Sequence, residues 1–399
     1  MTAAELQVSP GPREGFDPQQ DAPVSLYVHV PFCRHRCGYC NFSLVAGRDY
    51  LVESFLKVLE TEIRWLEKSW QIDTLFLGGG TPSHLQEPDF LRLFAAIESR
   101  FSFSSGAEIT AECNPGDISA EKVKMFAGCG INRISLGVQS FDTEKLQRLE
   151  RDHDARQVAT AVDLIRARID NISMDLIFAT PEETMELWQQ DLEAALELCP
   201  DHLSTYELTI EKGTQFWNRM NRSELVRADE DLCASMYEWT IERLAEAHMQ
   251  QYEVSSFAMA DRRCRHNLQY WNRQPWFAFG PGAARFIDGI RQTNHGSTMQ
   301  YLKQIENGKM PVADCCELAP RDAAAEGLAI ALRQIDGVSE SRFEKQYGYS
   351  IDSVLGPTKS TLIEHSLAQE LGDQFRLTQK GLMVCDRIAV EIIGGGSSS

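Results

Sequence analysis

No run of about 18 consecutive apolar residues occurs in this 399-residue chain, so the sequence offers no helix that spans a membrane. Positive charge is also scarce. Against 39 Lys and Arg stand 58 Asp and Glu, a net charge of −19, whereas a non-specific nucleic-acid binder needs a basic stripe. One anionic ligand held by a local arginine stays compatible with that balance. A disulfide scaffold is absent too: eleven cysteines are few for this length, and most are scattered. Residues 1–22 are polar, with Pro10, Pro12, Asp17 and Asp21, and lack the apolar stretch of a signal peptide. Together these absences predict a cytoplasmic protein without a transmembrane segment. Peripheral contact with a membrane and the oligomeric state are left open.

What the chain does have is alternation. Runs rich in β-branched residues at Leu26–Pro31, Thr74–Leu77, Glu108–Glu112, Arg133–Val138, Ser173–Phe178 and His202–Leu208 read as strands. Amphipathic stretches starting near Tyr50, His84, Ser119, Thr143, Thr184 and Asp229 read as helices, with Asp49, Ser83 and Ser119 as N-cap candidates. Strand–helix alternation at this spacing predicts parallel strands with right-handed crossovers. The fold class is α/β, a partial (β/α)6 barrel, although a doubly wound sheet has the same period. The polar signals fall at strand ends, where βα-barrels build their sites. Five segments follow: a flexible 1–22, the barrel over 23–260, an aromatic-rich connection over 261–318, a mainly helical, winged-helix-like module over 319–393, and a flexible tail at 394–399.

Three cysteines crowd one loop directly after the first strand: Cys33, Cys37 and Cys40, in Pro31-Phe32-Cys33-Arg34-His35-Arg36-Cys37-Gly38-Tyr39-Cys40. Three thiolates at this spacing suit three irons of a [4Fe–4S] cubane and leave the fourth iron open. An open iron chelates an amine and a carboxylate, such as those of the methionine part of S-adenosylmethionine (SAM). The competing reading is zinc, but zinc takes four ligands, and His35 between the cysteines fits no common zinc knuckle.

At this point the chain resembles the radical-SAM superfamily, and within it the HemN/HemW group of oxygen-independent coproporphyrinogen III oxidases and related heme chaperones. The resemblance rests on Leu26-Tyr27-Val28-His29-Val30-Pro31-Phe32-Cys33, Gly78-Gly79-Gly80-Thr81-Pro82, Glu112-Cys113-Asn114-Pro115 and Gly137-Val138-Gln139-Ser140. It implies that Gly78, Gly79, Gly80 and Thr81 meet the methionine amino group. It implies further that Glu112, Gln139, Arg151 and Asp175 contact SAM, with Gln139 and Asp175 at the ribose and Arg151 at the carboxylate. Arg148, one turn away, is the alternative to Arg151. Tyr27 and Tyr39 flank the cluster and are placed to pack on the sulfonium or adenine. No residue is singled out as catalytic. The group's pattern around Asp175 usually reads Asp-Leu-Ile-Tyr-Gly-Leu-Pro, whereas this chain has Asp175-Leu176-Ile177-Phe178-Ala179-Thr180-Pro181, which changes the turn chemistry.

Two departures favour the chaperone branch of the group. The oxidases add a cysteine two positions beyond the third, where this chain has Phe42, and they carry a longer N-terminal segment than the roughly two dozen residues found here. Then comes His266-Asn267-Leu268-Gln269-Tyr270-Trp271, which matches the HNxxYW motif of the chaperone branch. Imidazole is a standard axial ligand of heme iron, and Tyr270 and Trp271 are suited to stack on or edge a porphyrin, with Trp276 and Phe277 extending the wall. A hydrogen-bonded structural histidine is the plainer reading of His266. The resemblance thus implies heme as carried ligand, an apo-hemoprotein as acceptor, and an electron donor for the cluster, with no nucleic-acid partner. An oxidase that converts two propionates of coproporphyrinogen III to vinyls, through a 5′-deoxyadenosyl radical, is the alternative. A radical-SAM enzyme of unrelated substrate comes third.

Overall fold

The computed structural model describes residues 24–395, so the segment read as flexible at 1–22 and residues 396–399 of the tail lie outside it. The last helix, Cys385–Gly395, runs through Gly394 and Gly395. The described chain forms two compact units: one reaches Arg243 and resumes over Pro275–Cys315, and the other comprises Leu244–Gln274 and the chain from Cys316 onward.

In the first unit six parallel strands succeed one another in chain order: β1 (Ser25–Val30), β2 (Trp70–Gly79), β3 (Phe101–Cys113), β4 (Arg133–Gln139), β5 (Asn171–Phe178) and β6 (His202–Glu207). Their interiors are near-continuously buried, because helices cover parallel strands on the outside and side chains fill the inside. The expected α/β alternation and partial barrel are therefore present, and among the described residues of this unit the sheet stays open. The extra length of β2 and β3 comes from Trp70–Ile72 pairing with Phe101–Phe103, ahead of a register shift at Ile72/Thr74.

The segment after Trp271 departs from the expected connection. Trp276–Phe279 is a strand that pairs in parallel with β1 on the side away from β2. Ala284–Ile287 and Ile290–Asn294 continue as an antiparallel hairpin. The turn Gly280-Pro281-Gly282 needs its glycines: a Cβ on Gly280 (φ +102°) would stand 2.4 Å from the His29 carbonyl oxygen, and one on Gly282 (φ +74°) 2.4 Å from Ser43 Oγ. Strand pairing thus returns 275–315 to the first unit, while 244–274 groups with the C-terminal part. The sequence had placed 244–260 in the barrel.

Helix starts follow local chemistry in some places and tertiary contacts in others. Ser119 caps Ala120–Gly128 by accepting from Lys122 N. Asp49 and Ser83 do not cap: Asp49 accepts from His84 Nε2 (2.9 Å), and Ser83 Oγ donates to Asp117 (3.0 Å) while accepting from Asn114 N (3.1 Å). In the second unit, Tyr252–Phe257 is not one strand but two, Gln250–Glu253 and Ser256–Ala258, paired antiparallel. A three-stranded antiparallel sheet (Val338–Ser339, Gln374–Leu377, Ala368–Leu371) packs among helices around Leu328, Phe343, Ile351, Phe375 and Ile388.

Candidate functional site

Pro31 ends β1, and the chain turns at once into Phe32–Cys33, which pairs with Val45–Ala46. Val45 N donates to Pro31 O (2.7 Å) and Gly47 N to Cys33 O (3.2 Å), so the eleven-residue span between Cys33 and Val45 is clasped at both ends. Inside it, Arg36 Nη2 donates to Leu44 O (2.7 Å), and Arg34 donates to Asp117 and Asp152 (3.1 Å each). The span carries Cys37 and Cys40, and Cys40 N donates to Cys37 O (3.1 Å).

The thiols lie close enough that charge on Cys37 or Cys40 opposes ionisation of Cys33, and charge on Cys37 opposes that of Cys40. Burial pushes Cys33 up to about 11, with Cys40 and Cys37 adding to the shift, and burial likewise raises Cys40. Two groups oppose this: Thr81 Oγ1 lies 3.2 Å from Cys33 Sγ, and Arg151 Nη1 lies 3.7 Å from Cys37 Sγ. Among the described residues no three His, Cys, Asp or Glu side chains converge as a single metal ion requires. A cubane spreads its thiolates over three separate irons and does not need that convergence.

Gly78–Thr81 comes off the end of β2 beside the loop. Its glycines have an internal reason as well as the expected one. A Cβ on Gly78 would meet Glu112 at 2.9 Å, one on Gly79 (φ +108°) the His29 ring at 2.4 Å, and one on Gly80 the Phe32 carbonyl at 2.7 Å. Gly79 N donates to Glu112 Oε2 (2.9 Å). His29 Nε2 faces Ser43 O at 2.6 Å. A carbonyl only accepts, so Nε2 carries the hydrogen and Nδ1 accepts from the Tyr27 hydroxyl (3.0 Å). Burial holds this ring neutral, down to about 4.

Glu112 is the penultimate residue of β3, and Asp175 lies within β5, three residues before its end. Burial and the neighbouring Asp175 push Glu112 up to about 7, and burial raises Asp175 as well. Ser135 donates to Asp175 (3.0 Å), and the buried Arg133 acts on both carboxylates from below. Gln139 ends β4 at φ +67°, a left-handed backbone unusual for a non-glycine residue. Of the two arginines, Arg151 turns toward the cysteine loop: its Nη2 donates to Gly137 O (2.9 Å) and to Asn114 Oδ1, and its buried Nε has no partner. Arg148 faces Glu182 (3.9 Å) instead. Tyr39 packs edge-on against Phe216, and a Cβ on Gly38 would meet that ring at 2.7 Å. Tyr27 stacks on Phe76 and is held by His29.

His266, Tyr270 and Trp271 lie in the second unit on one helix, Arg265–Trp271. His266 is 1% exposed, its Nε2 is 2.8 Å from Tyr270 Oη, and the rings meet edge-on at 5.0 Å. These are the surroundings of the plainer reading, a hydrogen-bonded core histidine, and iron contact through Nε2 requires that bond to open. Trp271 Nε1 is buried without a partner, with the Arg333 guanidinium 5.3 Å from its ring. Trp276 and Phe277 belong to the first unit, where Phe277 packs on Trp70 and Phe101.

Residues 27–195 match the radical SAM superfamily model. Heme chaperone HemW of Bacillus subtilis (strain 168) is 34% identical over 377 residues, which cover 93% of this chain and 99% of that protein. The chain belongs to the HemW family of radical SAM proteins. HemW of Escherichia coli (strain K12) is 32% identical, covering 90% of this chain and 95% of that one. The radical S-adenosyl methionine domain-containing protein 1, mitochondrial, of Danio rerio is 32% identical, covering 82% and 76%. In three dimensions, coproporphyrinogen III oxidase (HemN) from Escherichia coli superimposes with a TM-score of 0.82 at 22% identity, covering 94% of this chain and 92% of that one. That likeness is one of fold.

Membership of the superfamily implies a [4Fe–4S] cluster and SAM, and the residues present fit both. Three cysteines share one clasped loop, and Arg151 reaches Cys37 Sγ from outside that loop while keeping a buried, unpartnered Nε. The family pattern named His29 only as part of a motif, and Phe216 and Arg133 not at all. Phe216 lies far from the loop in sequence, and no local spacing marks it. His29 carried one signal, a histidine inside an otherwise apolar strand.

Proposed function

We propose that this protein is a heme chaperone, which binds heme and passes it to an apo-hemoprotein while carrying a [4Fe–4S] cluster and SAM. The observation that carries the proposal is the co-occurrence in one chain of a clasped three-cysteine loop and the HNxxYW helix, together with relatives along nearly the whole length that bear the heme chaperone name.

In this reading Cys33, Cys37 and Cys40 hold the cluster. When bound, the cluster supplies electrons, one at a time, to the sulfonium of SAM. The chain's residues orient that ligand. Gly78–Gly80 and Thr81 offer backbone and hydroxyl groups to its amino end, Arg151 pairs its carboxylate, and Gln139 and Asp175 hold the ribose hydroxyls. Glu112, held near neutrality by burial, pins Gly79 N, and so sets the backbone that receives the amino group. Tyr27 and Tyr39 border the pocket. In the second unit His266 takes the iron once Tyr270 releases Nε2, and Tyr270 and Trp271 flank the macrocycle. The unpaired Trp271 Nε1 is a ready donor to a propionate.

Heme titrated anaerobically into the reconstituted protein should give a saturable Soret shift of one heme per chain, weakened at least about ten-fold in His266→Ala. No saturable binding, or binding indifferent to His266, would overturn the heme assignment. Incubation with coproporphyrinogen III, SAM and reductant without oxygen should yield no protoporphyrinogen; turnover there establishes the oxidase instead. Phe42, at the oxidase cysteine position, is 57% exposed and offers no ligand there.

A further inference from the structure

The cysteine loop carries charge opposite in sign to that of the chain. Over residues 33–51, Arg34, Arg36 and Arg48 stand against Asp49 alone, in a chain of net charge −19. Residues 211–227 repeat the imbalance, with Lys212, Arg219, Arg222 and Arg227 against Glu211 and Glu224. Both segments belong to the first unit, and they meet: Phe216 N donates to Gly38 O (2.9 Å), and Tyr39 packs edge-on against the Phe216 ring.

Much of this charge is not spent inside the fold. Arg34 pairs with Asp117 and Asp152, but Arg36 donates to the carbonyls of Cys40 (3.3 Å) and Leu44 (2.7 Å) and so sets a positive charge over the third cysteine. Arg36, Arg48, Lys212 and Arg227 are exposed, and among the described residues none of the four has a carboxylate within ion-pair distance. The other basic run, Arg262–Arg273, differs, because there Arg263 pairs with Asp336 and Arg273 with Glu326. Apolar side chains accompany the free charge. Val226 (76%) and Tyr50 (74%) are the most exposed large apolar side chains among the described residues, and the exposed Phe42 lies between Cys40 and Leu44. Aromatic and apolar groups set among arginines are the composition of a protein interface.

A basic collar on an acidic molecule selects its partner. An acidic protein is repelled by the rest of the surface and attracted here, so charge both speeds the encounter and orients it. Two short segments offer a small area, and small interfaces suit brief redox encounters better than permanent complexes. We propose that residues 33–51 and 211–227 form the docking surface for an acidic one-electron carrier protein, which reduces the cluster through the cysteine loop. The inference rests on the reading that this loop holds a cluster, and it stands whether or not the chain carries heme. With a flavin carrier, the anionic hydroquinone gives up one electron and becomes the neutral semiquinone, and the oxidised cluster takes that electron. The flavin keeps its proton, and no bond forms or breaks.

The test uses the reconstituted full chain and an acidic flavodoxin. A carbodiimide, which joins a carboxylate to a lysine amine without a spacer, should cross-link the two proteins through Lys212, as read by peptide mapping. Without oxygen, flavodoxin hydroquinone should reduce the cluster at a rate that falls at least about ten-fold between about 0.05 and 0.5 M salt. The double variant Arg48→Glu/Arg227→Glu should slow that step at least about ten-fold, whereas Arg387→Glu, on the last helix, should leave it unchanged. Photoreduced deazaflavin, small and uncharged, should reduce the wild type and the variants equally. Melting curves check folding, and Lys212→Glu repeats the charge reversal at an exposed position should the double variant not fold. The proposal is overturned by no cross-link or cross-links only outside the two segments, by a rate indifferent to salt, by charge-reversed variants as fast as the wild type, or by variants slowed equally with deazaflavin. Capture by anionic lipid vesicles that is lost in the double variant, with an unchanged flavodoxin rate, would assign the collar to a membrane instead. If reconstitution yields no cluster absorbance, the cluster reading fails, while the cross-link still decides the docking.

Discussion

At Ala179 the backbone stands at φ +58°, where the related sequences usually carry glycine. The surroundings hold it there: Thr180 N and Oγ1 both donate to Glu183 Oε2 (2.8 and 2.9 Å), and Leu208 N donates to Phe178 O (2.9 Å). The turn thus holds a left-handed angle without a glycine. A left-handed non-glycine residue costs about 1–2 kcal/mol, and the extra freedom of an unfolded glycine returns about 0.4–1. Ala179→Gly should thus stabilise the protein by roughly 0.5–1 kcal/mol, read from urea unfolding at constant slope. Gly79 lies at the other extreme. Its φ of +108° and the His29 ring at 2.4 Å from a Cβ together predict a loss of at least about 3 kcal/mol for Gly79→Ala. Adding His29→Ala removes the clash but not the backbone strain, so the double variant should regain only part of that loss. Full recovery would show that the dihedral angle is unimportant.

Among the elements, the short helix Thr143–Arg148 and the helix Met185–Glu197 are tied together beneath the Gln139 turn by a fully buried group. Lys145 Nζ donates to Glu183 Oε1 (2.5 Å) and Asp191 Oδ2 (2.9 Å). Asp191 in turn accepts from Ser140 Oγ (2.7 and 2.9 Å) and Phe141 N (2.6 Å). Each member is satisfied, and removing Asp191 leaves Lys145 paired with Glu183 but takes the acceptor from Ser140 Oγ and Phe141 N. Asp191→Ala should cost about 1–3 kcal/mol for each buried donor left unsatisfied and loosen the Gln139–Ser140 turn, which holds a proposed SAM contact. Chemical denaturation measures the first effect, and SAM affinity the second. If SAM affinity is unchanged in a folded Asp191→Ala protein, this group does not position Gln139.

For the whole molecule, acid exposes a set of buried rings. His29 and His153 are held neutral, down to about 4, mainly by burial, and His202 lies well below the ordinary value for the same reason. Below about pH 6.5 the unfolded chain binds protons that these folded rings refuse, so the three rings weaken the fold as pH drops from about 6.5 towards 4. Four buried carboxyls, Glu112, Asp175, Glu62 and Glu253, act the other way, because burial lets the folded state hold their protons to higher pH than the unfolded chain does. On acidification across that window, stability should therefore fall less, or rise more, in His153→Gln than in the wild type. Parallel curves would remove His153 from the account.

The sequence by itself determined the features that depend on neighbours along the chain. Strand–helix alternation sets six parallel strands, cysteine spacing marks the loop, and Ser119 caps its helix, because periodicity and capping are local. Tertiary structure alone decided what depends on residues brought together from far apart. It aimed Arg151 at Cys37 and Arg148 at Glu182. It moved Ser83 from helix cap to a partner of Asp117, and Trp276–Phe279 from connecting loop to a strand on β1. It buried His266 in the second unit, and it set Arg285 beside Glu62 with Nη2 lacking a hydrogen-bond partner. A side chain's type is written in one position, but its partners are set by packing between segments tens to hundreds of residues apart, and no local pattern encodes that proximity.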